Sequence, residues 1–347
     1  MKNTGRSCEI AHGKKTKVIV FALCTMLFGP CAAAQAQQIA ERIPRIGFLS
    51  RDLHPSDSRS PLPRNLEAFR QGLRELGYVD GKNINIEYRY AEGRLERMRP
   101  LAEELVHLQV QIIVTDTAAS ARAARKATST IPIVMVSGSD PIQSGLVASL
   151  ARPGGNVTGL TAIVTELTGK RIELLKEVVP NVLRFGYLDD TEGPGGSGFR
   201  NMQASAQALG IKLERLEVKA SNPDLESAFR VMAKNRIGAL LTSGGFFGST
   251  LYRKRILELV NQARLPAIYT TVQWMDAGGL MYYGANSPDL YRRAATFVDK
   301  ILKGTKPADL PVEQPMKFDF GINLIAAKQI RLTIPPNVLA RADRVIK

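Results

Sequence analysis

Short β-branched runs alternate with helical stretches along the chain from Arg45 onward. The run RIGFLS (45–50) predicts a strand, and leucines at positions 62, 66, 73 and 76 with Phe69 then step by four and three along one helix face. Further strands are predicted at 83–90, 111–116 and 131–136, with helices at about 94–107 and 118–128. Such alternation predicts an α/β fold, in which helices cover both faces of a parallel sheet.

A second series of the same kind follows after residue 165. Strands are predicted at 184–189, 211–218, 238–243 and 265–271, and helices at about 166–178, up to 209, 223–234, up to 262 and 288–303. Asn222 and Ser287 each precede a proline and are predicted to cap helices. A chain of 347 residues has room for two cores. We therefore expect two doubly wound, Rossmann-like lobes joined by a hinge.

The first 36 residues differ from the rest of the chain. A basic start precedes an apolar run from Val18 to Phe28, and Ala34-Gln35-Ala36 supplies small residues for cleavage. This layout predicts a secretory signal, because an apolar run of about 11 residues is too short to span a bilayer, which needs roughly 20. All three cysteines lie in this segment, so the mature chain is expected to have no disulfide and no cysteine metal site.

The chain is basic, with a formal net charge of +15. The signal segment accounts for +4 of this, from five basic residues and Glu9, which leaves +11. The balance favours an anionic ligand or surface. It does not favour nucleic acid, because the basic residues are scattered over helical positions in ERLERMR, YRKR and LYRRAA, where solvated helix faces explain them.

Two enzymatic alternatives have some support in the sequence. The segment GPGGSG (193–198) matches the glycine spacing of a dinucleotide-binding turn, but the acidic pair Asp189-Asp190 before it would repel a pyrophosphate. His54 lies beside Asp52, Ser56 and Asp57, which is a possible acid/base cluster, yet no G-x-S-x-G segment accompanies it. With only His54 and His107 in the mature chain, no metal site and no cofactor are expected.

Small or hydroxylic residues follow most of the predicted strands. Ligands of open α/β sheets bind beyond the carboxyl ends of the strands, where helix N-termini offer backbone N–H groups to anions. These ends would face a common cleft if the two lobes face each other. They comprise Ser50, TDTAAS (115–120), SGSD (137–140), Asp189 to Thr191, SGGFF (243–247) and YTTVQW (269–274).

Three long segments resemble the periplasmic substrate-binding proteins of an ABC-transporter family whose better-understood relatives bind aromatic amino acids. They are STIPIVMVSGSDPIQSGLVASLARPGGNVTGLT, AGGLMYYGANSPDLYRRAATFVDKILKGTKPADLPVEQPMKFDFGINLIAAKQI and LTIPPNVLARADRVI. The resemblance implies a type I periplasmic-binding-protein fold with three crossovers, near 156–161, 278–284 and 309–315. The sequence departs from the family pattern at the longer polar loop RDLHPSDSRS after the first strand.

Nine residues are predicted to bind the ligand. The resemblance carries over most of them, and their positions at strand ends add Ser139 and Asp189. Asp140 is also expected to cap a helix that begins at Pro141 and ends at RPGGN (152–156). The predicted set is Ser50, Thr117, Ser120, Ser137, Ser139, Asp140, Asp189, Phe246 and Tyr269.

The sequence therefore predicts a periplasmic, monomeric solute-binding protein and not an enzyme. It would capture a small polar solute, such as an amino acid, and deliver it to an ABC permease. We expect residues 43–158 with 281–309 to form an N-terminal lobe, and residues 159–280 with 310–347 a C-terminal lobe. An exported enzyme using His54 and a ligand-sensing protein for a membrane receptor remain open as alternatives.

Overall fold

The computed structural model describes residues 43–57, 60, 62–138, 140–162, 164–190, 196–219, 222–243 and 250–347. The predicted signal segment, Ser139, Phe246 and residues 193–195 of GPGGSG lie outside these residues. Within the described residues, no helix combines the length and the apolar character needed to cross a membrane.

The first sheet has five parallel strands in the order β2-β1-β3-β4-β5. Two apolar clusters cover its faces, one around Phe48 and Val114 and the other around Leu49 and Ile113. Successive residues of one strand thus enter different clusters, as the two-residue period of a strand requires. The strands are β1 (Arg45–Ser50), β2 (Asn85–Tyr90), β3 (Ile112–Thr115), β4 (Ile133–Gly138) and β5 (Val157–Thr161), and the helices between them are α1 (Leu62–Glu75), α2 (Met98–His107) and α3 (Ala118–Ala127).

The second sheet has seven strands in the order β12-β11-β10-β9-β8-β6-β7, and β10 and β11 are its antiparallel pair. Its strands are β6 (Arg184–Asp190), β7 (Lys212–Val218), β8 (Ala239–Thr242), β9 (Ala267–Tyr269), β10 (Met281–Ala285), β11 (Phe318–Asn323) and β12 (Arg344–Ile346). Its helices are α4 (Val164–Val178), α5 (Gly196–Ala208), α6 (Leu225–Lys234), α7 (Thr250–Gln262), α8 (Val272–Asp276), α10 (Leu324–Gln329) and α11 (Pro336–Leu339). The predicted α/β class is confirmed.

The chain passes between the sheets three times. It leaves the first sheet after β5, returns after β10 as α9 (Ser287–Leu302), which packs on α1, and passes to the second sheet again before β11. The end of β5, from which the first passage leaves, lies beside the third passage, because Leu160 and Glu313 form a parallel bridge. The Thr158 hydroxyl also donates a hydrogen bond to the Leu310 carbonyl at 2.6 Å.

Two predicted lobe boundaries differ from this strand pairing. The strand β5 pairs with β4 in the first sheet, including Gly159 and Thr161 beyond the predicted boundary at 158. The strand β10, which the boundary at 281 places with the first lobe, pairs with β9 and β11 in the second sheet. In both cases an apolar strand completes its own sheet before the chain crosses. The assignment of the other segments to lobes stays a prediction.

The helix predicted to begin at Pro141 is wrong. Residues 141–155 form turns and bends, in which Gly145 has a φ of 65°, outside the right-handed helical region. The backbone N–H of Leu146 donates to the Pro141 carbonyl at 2.8 Å, which closes a wide turn. Asp140 caps this turn instead of a helix, since its Oδ1 accepts a hydrogen bond from the Gln143 N–H at 3.0 Å.

The two predicted helix caps are each displaced along the chain. The side chain of Asp224, not Asn222, caps α6 by accepting the Ser227 N–H at 2.9 Å. Asn286, not Ser287, caps α9 by accepting the Asp289 N–H at 2.8 Å. In each place two capping residue types stand close together, and the one whose oxygen reaches the free N–H is the cap.

Candidate functional site

Asp116 organises the carboxyl ends of β1 and β3. Its side chain is 3% exposed and accepts the hydroxyl protons of Ser50 and Ser120, each over 2.6 Å. The backbone N–H of Arg51 donates a third hydrogen bond to it at 2.9 Å. A buried carboxylate that accepts several hydrogen bonds fixes its donors in place. Asp116 therefore links the loops that follow β1 and β3 at the carboxyl edge of the first sheet.

Thr117 and Ser120 form the N-terminal capping box of α3. The Thr117 hydroxyl accepts the Ser120 N–H at 3.3 Å, and the Ser120 hydroxyl accepts the Thr117 N–H at 3.0 Å. The predicted residues Ser50, Thr117 and Ser120 are thus brought together. Their hydroxyls, however, are engaged by Asp116 or by the cap, so these residues shape the site through the protein's own hydrogen bonds. Asp116 itself is absent from the predicted ligand-binding set, although it directly precedes Thr117 in the segment TDTAAS that was singled out at the end of β3.

A group of charged side chains from both halves of the chain surrounds Asp52. Burial is the largest effect on Asp52 and raises its pKa to about 6, while Arg51 and Arg253 lower the pKa and Asp116 raises it. Arg253 belongs to α7, beside the second sheet, and burial is also the main cause that lowers its pKa. Its guanidinium carbon lies 5.9 Å from the centroid of the Trp274 ring. No sequence pattern indicated that α7 contributes to this group, because the two segments meet only in the fold.

Three buried threonines lie at or next to the carboxyl ends of strands β3, β8 and β9, and their hydroxyl oxygens have no hydrogen-bond partner among the described residues. Thr115 ends β3, Thr242 ends β8 and Thr270 follows β9. Buried polar groups normally have partners, because leaving one without a hydrogen bond costs about 1–3 kcal/mol. Hydroxyls of this kind, placed where ligands of α/β sheets bind, suit a polar solute.

Tyr269 stacks on Trp274, with ring centroids 4.4 Å apart and planes 10° from parallel. Both rings are fully buried in the apolar cluster between the second sheet and α6 and α7, and burial raises the pKa of the Tyr269 hydroxyl. The Tyr269 hydroxyl and the Trp274 ring N–H lack partners among the described residues. The pair packs at the carboxyl end of β9. Direct contact of Tyr269 with a ligand stays a prediction.

The remaining predicted residues lie at other strand ends. Ser137 is partly exposed near the end of β4. Asp189 is buried near the end of β6 and forms an ion pair with Arg215, whose Nη2 lies 2.7 Å away. Asp140 is engaged in the turn described above, while Ser139 and Phe246 lie outside the described residues. Ligand contact by these residues also stays a prediction.

The alternative acid/base cluster at His54 is open to solvent. His54 is exposed, its Nδ1 lies 2.8 Å from the Ser56 hydroxyl, and its ring meets the edge of Tyr90 at 5.0 Å. Within the part of the chain that the structure describes, no group of His, Cys, Asp and Glu side chains could hold a metal ion.

Two mostly parallel sheets covered by helices, joined by three crossovers, give the chain the fold of type I periplasmic binding proteins. The comparison with known families is more specific. The family described as ABC transporter substrate binding protein matches residues 59–346, and the chain belongs to it. The family is one of solute-binding proteins, not of enzymes.

Three relatives illustrate the likeness. A tyrosine-binding protein from Clostridioides difficile (strain R20291) is 26% identical over 263 residues, which are 75% of this chain and 72% of the relative. The structure of an ABC domain in complex with L-Trp from Streptococcus pneumonia has a TM-score of 0.79 and 26% identity, over 87% of this chain and 99% of that one. A conserved domain protein from Vibrio cholerae O1 has a TM-score of 0.78 and 28% identity, over 88% and 100% of the two chains.

Proposed function

We propose that this protein is the periplasmic component of an ABC importer, that it captures an aromatic amino acid between its two halves and that it delivers the solute to a membrane permease. The observation that carries the proposal is the set of buried threonine hydroxyls without partners at strand ends of both sheets, Thr115 in the first and Thr242 and Thr270 in the second. A solute held between the halves would supply the missing hydrogen bonds.

The solute class is supported by the relatives. One is named as a tyrosine-binding protein and another was determined in complex with L-Trp. A zwitterion also suits a site in which Asp52 and Arg253 supply charges of both signs from different halves of the chain. The basic net charge of the chain and the predicted signal segment fit an exported protein that captures a solute bearing a carboxylate.

The proposed mechanism combines a preformed edge of the site, held by Asp116, with closure of the two halves about the crossovers. Asp116 already holds the loops after β1 and β3 together, so a solute docks on a preformed edge. Closure about the adjacent crossovers, which Leu160 and Glu313 link, would then bring the second sheet's strand ends onto the solute. The closed form would be the one that the permease recognises, and the protein would act as a monomer.

The test begins with the full chain expressed with its own N-terminal segment and recovered from the periplasm. Isothermal titration calorimetry should show binding of L-tyrosine or L-tryptophan, and solution scattering should show compaction with the same solute. Export failure would contradict the predicted localisation. Absence of heat with both amino acids would contradict the proposed solute class.

A matched pair of variants tests the carrying observation. Thr242→Val removes a buried hydroxyl at nearly constant volume and should weaken binding about 5- to 20-fold, the effect of one lost hydrogen bond. Thr305→Val makes the same change at an exposed position after α9 and should bind as the wild type does. If the wild type, Thr242→Val and Thr305→Val bind the solute with equal affinity, the Thr242 hydroxyl does not contact the solute and no longer supports the proposed site.

A further inference from the structure

Arg171 is a buried guanidinium without a carboxylate beside it. It lies in α4 about 10 Å along the axis from the helix start, and it is 4% exposed. Its Nε–H donates to the Tyr283 carbonyl at 2.7 Å, and its Nη1 contacts the Thr168 hydroxyl at 3.4 Å. Both partners are neutral. Its other terminal nitrogen, Nη2, has no hydrogen-bond partner among the described residues.

The other buried charged side chains of the described residues have an opposite charge beside them or, in the case of Asp116, hydrogen bonds to both carboxylate oxygens. Asp116 accepts three hydrogen bonds, Asp189 pairs with Arg215 and Asp299 pairs with Lys303 at 2.8 Å. Arg253 interacts with Asp52. The electrostatic neighbours of Arg171 are the hydroxyls of Tyr187 and Tyr283, and burial is the first cause that lowers its pKa to about 10. Burying a cation with no counter-charge costs several kcal/mol, so such groups are rare without a ligand-related reason.

Arg171 contacts strand β10 through Tyr283, which lies two residues before the carboxyl end of that strand. Tyr187 is the middle residue of β6, but its hydroxyl interacts with Arg171, with Asp189 near the carboxyl end of β6 and with Ser243, which follows β8. The helix α4 itself begins directly after the first crossover, so its first turns lie next to the hinge segment. A solute bound at these strand ends is therefore within the region that a buried guanidinium can reach.

We propose that Arg171 receives a carboxylate of the bound solute and thereby restricts the substrate class to solutes that carry one. The proposal rests on the proposed function, because it assigns the carboxylate of the solute to one residue of the same site. A guanidinium offers paired N–H donors that match the two oxygens of a carboxylate, and the ion pair restores neutrality in the buried site. The Tyr283 carbonyl holds Nε and leaves Nη2 available.

The experiment compares each amino acid with its decarboxylated amine. Calorimetry is performed with L-tryptophan against tryptamine and L-tyrosine against tyramine, on the wild type, Arg171→Met and Arg184→Met. Arg171→Met keeps the length and apolar part of the side chain and removes the charge. Arg184→Met is the matched control, because Arg184 is an exposed arginine at the opposite, amino-terminal end of β6.

The wild type and Arg184→Met should bind the amino acid about 10- to 100-fold more tightly than the amine, as expected for a charged hydrogen bond. Arg171→Met should bind both compounds with the affinity that the wild type has for the amine. Retention of the preference in Arg171→Met would overturn the proposal. An equal loss of affinity for both compounds would also overturn it, since that result indicates a structural role.

A second measurement separates this proposal from the proposed function. If the wild type binds neither amino acid, the proposed solute class fails, and Arg171 is then judged by thermal unfolding in sodium benzoate and in sodium chloride of equal ionic strength. Benzoate should raise the Tm of the wild type but not that of Arg171→Met. An equal response of the two proteins overturns the proposal. If Arg171→Met does not fold, Arg171→Lys retains the charge and should keep part of the preference for the carboxylate.

Discussion

Neutralising Asp52 is expected to stabilise the protein above neutral pH. The Asp52 carboxyl is partly buried, and its burial raises its pKa from 3.8 to about 6 despite the two nearby arginines. The folded chain thus binds this proton more tightly than the unfolded chain does. Asp52→Asn mimics the protonated form at every pH, so it should remove the cost of ionising the carboxyl in the fold.

The sign and size follow from proton linkage. Because the folded pKa is the higher one, the contribution of Asp52 is most favourable below about pH 4 and is lost as the pH rises through about 6. A rise from 3.8 to about 6 corresponds to about 3 kcal/mol. Partial contact of Asp52 with solvent reduces the expected gain of Asp52→Asn to about 1–2 kcal/mol at pH 7.5, with no gain at pH 3.5.

Urea unfolding at half-unit steps from pH 3.5 to 8 measures this difference. Trp274, the one tryptophan of the chain, is buried beside the second sheet and reports unfolding by fluorescence, and circular dichroism checks that the same transition is seen throughout. Glu96→Gln, at an exposed position outside the cluster, is the control. If the stability of Asp52→Asn runs parallel to that of the wild type over the whole range, the pKa of Asp52 is not raised and the reasoning is refuted.

Three further outcomes are expected. Gly159→Ala should destabilise the folded protein by at least about 2–4 kcal/mol in urea titrations, or prevent folding. Gly159 has a φ of 124°, and a Cβ at this position would lie 2.1 Å from the Met135 carbonyl oxygen. The control Gly155→Ala should change the stability little, because no atom lies within 4 Å of a Cβ placed there. Ser120→Ala should lower the free energy of unfolding by about 1–3 kcal/mol, because Asp116 loses a buried donor and α3 loses part of its cap. A change below about 0.5 kcal/mol, which is half of a typical hydrogen bond, would contradict this. His54→Ala should leave solute affinity unchanged in calorimetry, since His54 is exposed, and any turnover lost with it would favour the enzyme alternative instead.

Eight strands, β1 to β4 and β6 to β9, could be predicted because short apolar or β-branched runs alternate there with helical stretches, whereas β5, β10, β11 and β12 were not predicted as strands. Ile46, Ile113 and Val134 occupy three adjacent strands and are fully buried. The prediction of a helix after Pro141 was wrong for a local reason that hydrophobic periodicity alone does not reveal. Gly145 takes a left-handed conformation there, and Leu146 and Val147 are buried by a turn while Ile142 stays 48% exposed.

The candidate site could be predicted in position but not in its internal connections. Small polar residues after parallel strands must gather at one edge, which is why Ser50 and Ser120 were placed together. That both donate to Asp116 depends on the pairing of β1 with β3, and that Arg253 lies near Asp52 depends on how the two halves meet. Arg171 carries no signal in the sequence, because an arginine on a helix is ordinarily a surface residue.

The two edges of the cleft therefore differ in what a solute must supply. On the first-sheet edge, Asp116 already satisfies the hydroxyls of Ser50 and Ser120, so little of the binding free energy is needed to order the loops. On the second-sheet edge, the Thr242 hydroxyl and the Arg171 guanidinium have unmet hydrogen-bonding or charge requirements. Discrimination between solutes is then expected to arise at the second edge, because a solute lacking the matching group would leave those groups buried and unpaired. Substitutions at the first edge should accordingly change stability more than selectivity.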